Sequence, residues 1–314
     1  MSEIKIGGQA VIEGVTMRSE NYVCTSVRKE NGTIVSKIRA FNSVSKKYKP
    51  LGWPLIRGMV NLVEMMSIGF SELQWSGNQS VDENEELSKK EIFLTIAISI
   101  IFGVALFKLF PWFLANSLSN LMKSNYFILN VMDGILKIII ISLYLYLISL
   151  MADVKTLFRY HGAEHKVVNC YEHKKKLTPK NAQKFTTLHP RCGTTFVIIV
   201  FVVSIFVYIL LPQSLDFWSN LLIRVLLLPL IAGISYEIIR FSGKYYEKNL
   251  FVRIVMWPGL QFQKLTTREP TLKQLEVAIN SLVVCMNKET RINPRSKRQS
   301  ILTTFTFSNC VLST

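Results

Sequence analysis

The sequence has few charged side chains and few cysteines for its length. Of its 314 residues, 18% are charged and 49% are hydrophobic, whereas a soluble domain is usually about 25% charged. Cysteine occurs only five times, an odd number that cannot be fully paired, at Cys24, Cys170, Cys192, Cys285 and Cys310. We therefore expect free thiols or metal ligands in a reducing cytoplasm, and not a disulfide framework.

Three further signals are absent. The first nine residues are polar, so we expect no signal peptide and expect the first long apolar run to act as the insertion signal. The glycine-rich Gly7–Arg18 segment lacks both G-x-G-x-x-G and the P-loop lysine, and we interpret its glycines as turns. No basic motif interleaved with aromatics indicates nucleic acid. Anionic lipid headgroups account for the net charge of +16.

Long apolar runs are what the sequence does contain. Thr195–Leu211 holds no charged residue, which argues against the alternative of buried helices in a soluble protein. A helix needs about 20 apolar residues to cross a bilayer. We predict a mainly α, polytopic membrane protein in contact with the lipid bilayer, and leave open whether it forms a homo-oligomer. The four predicted transmembrane helices lie at Ile92–Ala115, within Phe127–Ala152, at Thr195–Leu211 and at Leu221–Ile239.

Basic residues are distributed unevenly around these runs. Nine lysines and arginines lie between the second and third runs. Lys123 is the one basic residue between the first and second runs, and the segment between the third and fourth has none. Because basic loops stay in the cytoplasm, we expect an inner-membrane protein with both termini and the histidine-rich segment on the cytoplasmic side.

The remaining segments suggest the domain organisation. A β-hairpin around Asn31-Gly32 and an amphipathic helix within Pro54–Leu73 indicate a small α/β portion at the N-terminus. Pro258-Gly259 is expected to break a C-terminal helix. We predict a cytoplasmic N-terminal portion (1–91), transmembrane helices 1 and 2 (92–152), a cytoplasmic histidine-rich loop (153–194), transmembrane helices 3 and 4 (195–241), a cytoplasmic helical segment (242–286) and a disordered basic tail (287–314).

All four histidines of the chain lie between residues 161 and 189. His161 and His165 fit the pattern H-x-x-E-H, which in a helix puts both rings on one face, one turn apart, where they can share a metal ion. Glu164 lies beside that face, where it can act as a general base. The alternative is that each histidine is an ordinary loop residue or contacts lipid headgroups.

His189 and Cys192 follow at H-x-x-C spacing and are further zinc-ligand candidates. Glu172 falls on the face of His161 and His165, about 10 Å along the helix, as a third ligand or a neighbour of the ligands. Four protein ligands would make a closed, structural site, and three would leave a position open for catalysis. The spacing alone does not separate these two cases.

Several blocks of the sequence resemble the DUF1385 family of bacterial membrane proteins, from about residue 4 to residue 284. These blocks are "GGQAVIEGVTMR", "PLIRGMVNL", "RYHGAEHKVVNCYE", "HPRCGTTF", "ISYEIIR" and "PGLQFQKLTTREPTLKQLEVAI". The resemblance implies a metal-dependent enzyme without indicating a substrate. It also implies that certain residues in these blocks line a cytoplasmic pocket, namely Gln9, Glu13, Arg57, Glu237 and Arg268.

Two functional hypotheses follow. In the first, His161 and His165 bind a divalent metal, zinc, with His189 or Cys192, and Glu164 acts as the base of a hydrolase for a peptide or a lipid-linked ester. In the second, the same metal stabilises the cytoplasmic part of a non-enzymatic scaffold or assembly factor. Transport has less support, because membrane-embedded charges are few and no inverted repeat is present.

Overall fold

The computed structural model describes residues 4–80, 89–123, 125–212, 217–292 and 310–313. Within these ranges the strands form one sheet in the order β1-β2-β3-β4-β5. The first four strands pair antiparallel, and β5 pairs with β4 in parallel. The strands are β1 (Gly7–Val11), β2 (Gly14–Arg18), β3 (Tyr22–Arg28), β4 (Ile34–Ala40) and β5 (Cys310–Ser313).

The hairpin predicted around Asn31-Gly32 is confirmed as β3 and β4. Gly32 has a φ of 83°, a conformation that glycine adopts without steric cost. The glycine-rich segment that we interpreted as turns forms the β1–β2 hairpin instead. A Cβ atom on Gly8 would lie 2.9 Å from Cγ of Glu164, so glycine at this position allows that side chain to lie against the strand.

The apolar runs form helices, three of which are long and apolar enough to cross a membrane, among the residues described: Phe93–Leu121, Phe127–Ile148 and Trp218–Tyr245. The third predicted run, as α8, has 17 residues and is shorter than the others. The helical elements of the four apolar runs are α3 (Lys89–Val104), a π-helical turn (Ala105–Leu109), α4 (Phe110–Leu121), α5 (Tyr126–Ile148), α8 (Gly193–Ile209), α9 (Phe217–Leu226) and α10 (Leu228–Tyr245).

The other helices belong to the segments between and around these runs. They are α1 (Val44–Lys47), α2 (Ile56–Ser80), α6 (Ala152–Glu172), α7 (Pro179–Ala182), α11 (Leu250–Thr266) and α12 (Leu272–Ile292), with a 3-10 turn at Lys49–Gly52. The amphipathic helix predicted within Pro54–Leu73 corresponds to α2.

Three predicted features differ from the structure. The histidine-rich loop is largely helical, since α6 carries His161 and His165. Pro258 lies inside α11 and does not end it, because α11 packs along α8 and this packing outweighs the local break. Of the tail predicted to be disordered, the start continues α12 to Ile292 and Cys310–Ser313 forms β5; residues 293–309 lie outside the described residues.

The position of α6 follows from its packing. One face joins the core beneath the sheet through Tyr160, Ala163 and Val167, which are at most 2% exposed. The helix α12 covers β2 and β3 and contacts α6 as well. The helix α6 begins at Ala152, shortly after α5 ends at Ile148. It is therefore held where the sheet-containing part of the fold meets the apolar helices.

Candidate metal centre

His161, His165 and Cys192 come together where α6 meets the start of α8. The two imidazole rings have centroids 4.5 Å apart, as expected for residues one helical turn apart. Cys192 is the N-cap residue of α8, and its Sγ lies 3.3 Å from Nε2 of His161. One ligand atom from each of the three residues lies within 4.8 Å of the others, a spacing that a single metal ion can bridge.

Hydrogen bonds to backbone carbonyls orient both imidazoles. Nδ1 of His161 lies 2.9 Å from the carbonyl oxygen of Thr266, and Nδ1 of His165 lies 2.5 Å from that of Thr187. A carbonyl oxygen can only accept, so each Nδ1 carries the hydrogen. In the neutral ring this leaves the lone pair on Nε2, which is how metal-binding histidines are commonly fixed.

The electrostatics favour a thiolate at Cys192. Burial alone would raise the pKa of this thiol, but His161 and His165 outweigh it and hold that pKa well below its ordinary value. The N-terminus of α8 acts in the same direction. Burial would lower the pKa of His165, but the charges of Cys192 and Glu164 outweigh it and raise that pKa. The thiolate is the form of cysteine that binds metals.

Glu164, the predicted base, lies beside these three residues. Its side chain is buried, and Oε2 lies 3.4 Å from Nε2 of His165. The carboxylate is therefore next to a ring nitrogen whose lone pair faces the centre, although it is not one of the three grouped donors. It can accept a proton from a molecule bound at the centre, or approach as a further ligand after a small movement.

His189 lies near the three donors but has other partners. Its ring centroid is 5.8 Å from that of His165. Nδ1 accepts from the backbone N–H of Arg191 at 3.3 Å, and Nε2 donates to Oε2 of Glu172 at 3.2 Å. Arg191 pairs with the other carboxylate oxygen of Glu172. Because both ring nitrogens are engaged, His189 is not one of the three grouped donors. The hydrogen bond of Glu172 is to His189.

Sequence reasoning missed Gln263, which fixes the connection before Cys192. This fully buried side chain donates from Nε2 to the carbonyl of His189 at 2.7 Å and to Oγ1 of Thr195 at 2.5 Å. Its Oε1 accepts from the N–H of His189 at 2.9 Å. The sequence signal that could have identified this residue is a glutamine on the buried face of an apolar helix, since a buried amide needs hydrogen-bond partners.

The residues singled out by the family resemblance are not among the three grouped donors. Arg57 and Glu237 pair with each other, Nε to Oε1 at 2.7 Å and Nη2 to Oε2 at 2.5 Å. Glu13 accepts from the hydroxyl of Tyr160 at 3.2 Å, and Gln9 lies against Gly69 of α2.

Arg268 contributes through its backbone. Its guanidinium donates to the carbonyl oxygen and the hydroxyl of Ser149. Its carbonyl oxygen would lie 2.1 Å from a Cβ atom on Gly162, so the extended segment after α11 presses directly on α6. This contact holds α6 beside Thr266, whose carbonyl orients His161.

Comparison with known proteins gives one family. The family model described as "Protein of unknown function (DUF1385)" matches residues 53–288. The chain is 33% identical over 294 residues to the protein named "Uncharacterized protein YqhQ" of Bacillus subtilis (strain 168), covering 88% of this chain and 90% of that protein. No solved structure matches the chain. The family match and the full-length relative establish that this chain belongs to the DUF1385 family.

Proposed function

We propose that this chain is an inner-membrane protein whose His161, His165 and Cys192 bind one divalent metal ion at the cytoplasmic face, and that it is a metal-dependent hydrolase. One observation carries the proposal: ligand atoms of all three residues lie within 4.8 Å of one another, with both rings fixed through Nδ1. Two imidazoles and one thiolate form a donor set that suits Zn²⁺ and not Mg²⁺ or Ca²⁺.

The number of donors favours catalysis over a purely structural role. A structural zinc site is closed by four protein ligands, whereas a catalytic site has three and an open position. Here the fourth candidate, His189, has Nε2 and Nδ1 engaged by Glu172 and the Arg191 N–H. A bound zinc ion would supply Lewis-acid polarisation of a carbonyl or ester oxygen. Glu164, 3.4 Å from His165, would take the proton from an attacking water molecule.

The proposed topology has four membrane spans. We include α8 because it is apolar and packs against α5, α10 and α11, although its 17 residues span only about 25 Å. A short span is tolerated at modest cost where the bilayer thins around it. The basic segment that includes α6 stays cytoplasmic by the positive-inside rule, so the metal centre lies just below the inner leaflet.

Glu164→Gln separates the hydrolase from a scaffold stabilised by zinc. The exchange removes the base but keeps the size of the side chain, so we expect the zinc content and the melting temperature of the purified protein to stay close to wild type. In cells lacking the native gene, the variant is expected to fail to restore the wild-type phenotype. Glu269→Gln is a matched control, because that glutamate is largely exposed and pairs with Lys166. Full restoration by Glu164→Gln would favour the scaffold.

Zinc affinity is expected to increase with pH through the range just above the ordinary pKa of histidine, about 6.5. The pKa of His165 is raised, so below that pKa the ring is protonated, and zinc must displace the proton. Displacing one proton makes the apparent affinity change roughly tenfold per pH unit below the pKa and level off above it. Competition with a chromophoric chelator at several pH values measures this dependence. A flat profile over the whole range would mean that His165 does not bind the ion.

A further inference from the structure

A second group of charged side chains lies inside the apolar helices, far from the metal centre. It consists of Lys108 in the π-helical turn, Asp133 and Lys137 on α5, and Arg224 on α9, and we call it the basic cluster. Asp133, Lys137 and Arg224 are 2–5% exposed. The cluster surrounds Tyr208 of α8, which is about 24 Å along that helix from Cys192.

The contacts within the cluster are close. Nζ of Lys137 donates to Oδ2 of Asp133 at 2.5 Å, and Nη1 of Arg224 donates to the same oxygen at 3.2 Å. Arg224 also donates to Oδ1 of Asn130 at 2.7 Å. The cations of Lys108, Lys137 and Arg224 lie 5.1, 5.8 and 4.6 Å from the ring centroid of Tyr208.

The charges in the cluster do not balance. Three cations share one carboxylate, and both ion pairs to Asp133 use the oxygen Oδ2. The other oxygen, Oδ1, is buried and has no hydrogen-bond partner among the described residues. Uncompensated charge inside apolar helices is costly, and polar groups retained there usually serve a function. The formal excess of cationic side chains over carboxylates calls for a small anion, and the unused acceptor calls for a hydrogen-bond donor.

We propose that the basic cluster binds a phosphate group, either the phosphate of a phospholipid headgroup or free inorganic phosphate. Arginine and lysine are the usual donors to phosphate oxygens from either source, and a protonated oxygen of free inorganic phosphate would in addition donate to Oδ1 of Asp133. Asp133 and Arg224 each lie about 9 Å along their helices from the start of the apolar span, within reach of the headgroup region. This site is independent of the proposed metal centre.

The burial of the cluster favours a small ligand over a partner helix. Asp133, Lys137 and Arg224 are enclosed by the surrounding helices, and a second membrane protein could not reach them without separating those helices. Lys108 is only partly buried, so it is the most accessible cation of the cluster. Its position in a π-helical turn fits a role in binding, since such turns occur frequently at functional sites.

Two probes test the proposal on the full-length protein in an uncharged detergent after delipidation. The first is inorganic phosphate, with sodium chloride at equal ionic strength as the reference. The second is a nanodisc of phosphatidylcholine with or without phosphatidylglycerol. The readouts are the melting temperature and, by native mass spectrometry, the phosphate or phospholipid retained per chain.

Lys108→Met is the main variant because the side chain is partly buried and the change is expected to preserve folding. Arg224→Gln is the second.

Lys123→Met is the matched control, because this exposed lysine lies on the turn after the same long helix. We expect saturable binding to wild type and at least tenfold weaker binding to Lys108→Met, with Lys123→Met and the zinc content unchanged. Stabilisation by inorganic phosphate would identify the free ion, and stabilisation only in the phospholipid nanodiscs would identify the headgroup. The proposal is overturned if neither probe binds, if chloride acts as strongly as phosphate, if Lys123→Met weakens binding equally, or if Lys108→Met changes only the oligomeric state.

Discussion

Zinc is expected to fall from about one ion per chain in the purified wild type to below about a tenth in His161→Ala and in Cys192→Ala. Each variant leaves two of three donors, and a typical ligand in a zinc site is worth about 3–4 kcal/mol, which is several hundred-fold in affinity. The effect is large because Sγ of Cys192 lies 3.3 Å from Nε2 of His161, with no unengaged neighbouring histidine to replace either. Elemental analysis by plasma mass spectrometry measures the metal directly.

His173→Ala is the matched control for these variants. Its ring lies at the C-terminus of α6 and is turned back toward the carbonyl of Asn169, 2.8 Å from Nδ1. We expect normal zinc content in this variant. His189→Ala is also expected to retain zinc, with a lower melting temperature because Glu172 and Arg191 lose a partner. Wild-type protein without stoichiometric metal, or His161→Ala with unchanged metal, would contradict the proposed centre.

The features set by local spacing could be predicted from the sequence. A four-residue spacing in a helix puts His161 and His165 on one face wherever the helix lies in the fold. In the same way, Asn31-Gly32 between two strand-like runs specified a hairpin, and continuous apolar runs specified long helices. These patterns depend on neighbours in the chain and not on tertiary contacts.

The partners of the histidines could not be predicted in this way. Thr187 and Thr266 orient the two rings through backbone carbonyls, and every residue type carries such a carbonyl. The spacing H-x-x-C offered His189 and Cys192 as equal candidates. Their difference arises because Glu172 and the Arg191 N–H engage the ring of His189, an arrangement that requires α6 and the segment before α8 to be packed together.

The same limit explains the error over the glycine-rich N-terminal segment. Its glycines are consistent with turns when only the local sequence is considered. In the fold, Gly8 is in a strand because β1 pairs with β2, and Glu164 of α6 packs against it. Gly14 faces the backbone of β3, where a Cβ atom would lie 2.2 Å from the carbonyl oxygen of Ser26. The contact between Gly8 and Glu164 joins residues far apart in the chain, so no window of sequence records it.

Gly162→Ala is expected to destabilise the fold and weaken zinc binding together. The helix propensity of alanine is more favourable than that of glycine by about 1 kcal/mol, so at an open position the change would stabilise α6. At Gly162 the new Cβ would lie 2.1 Å from the carbonyl oxygen of Arg268. That segment cannot retreat freely, because the N–H of Arg268 donates to the carbonyl of Phe158 at 2.9 Å. Overpacking of this kind costs about 3 kcal/mol, so the clash outweighs the gain in propensity.

Separation of α6 from the Arg268 segment would also move His161 away from the carbonyl of Thr266, the contact that orients its ring. We therefore expect Gly162→Ala to lower the melting temperature by several degrees and the zinc affinity by about tenfold or more. Gly193→Ala is the control: it adjoins Cys192, but a Cβ there would meet no atom within 4 Å. It should keep both properties near wild type. If the two alanine variants behave alike, close packing of α6 at residue 162 does not hold the metal centre in place.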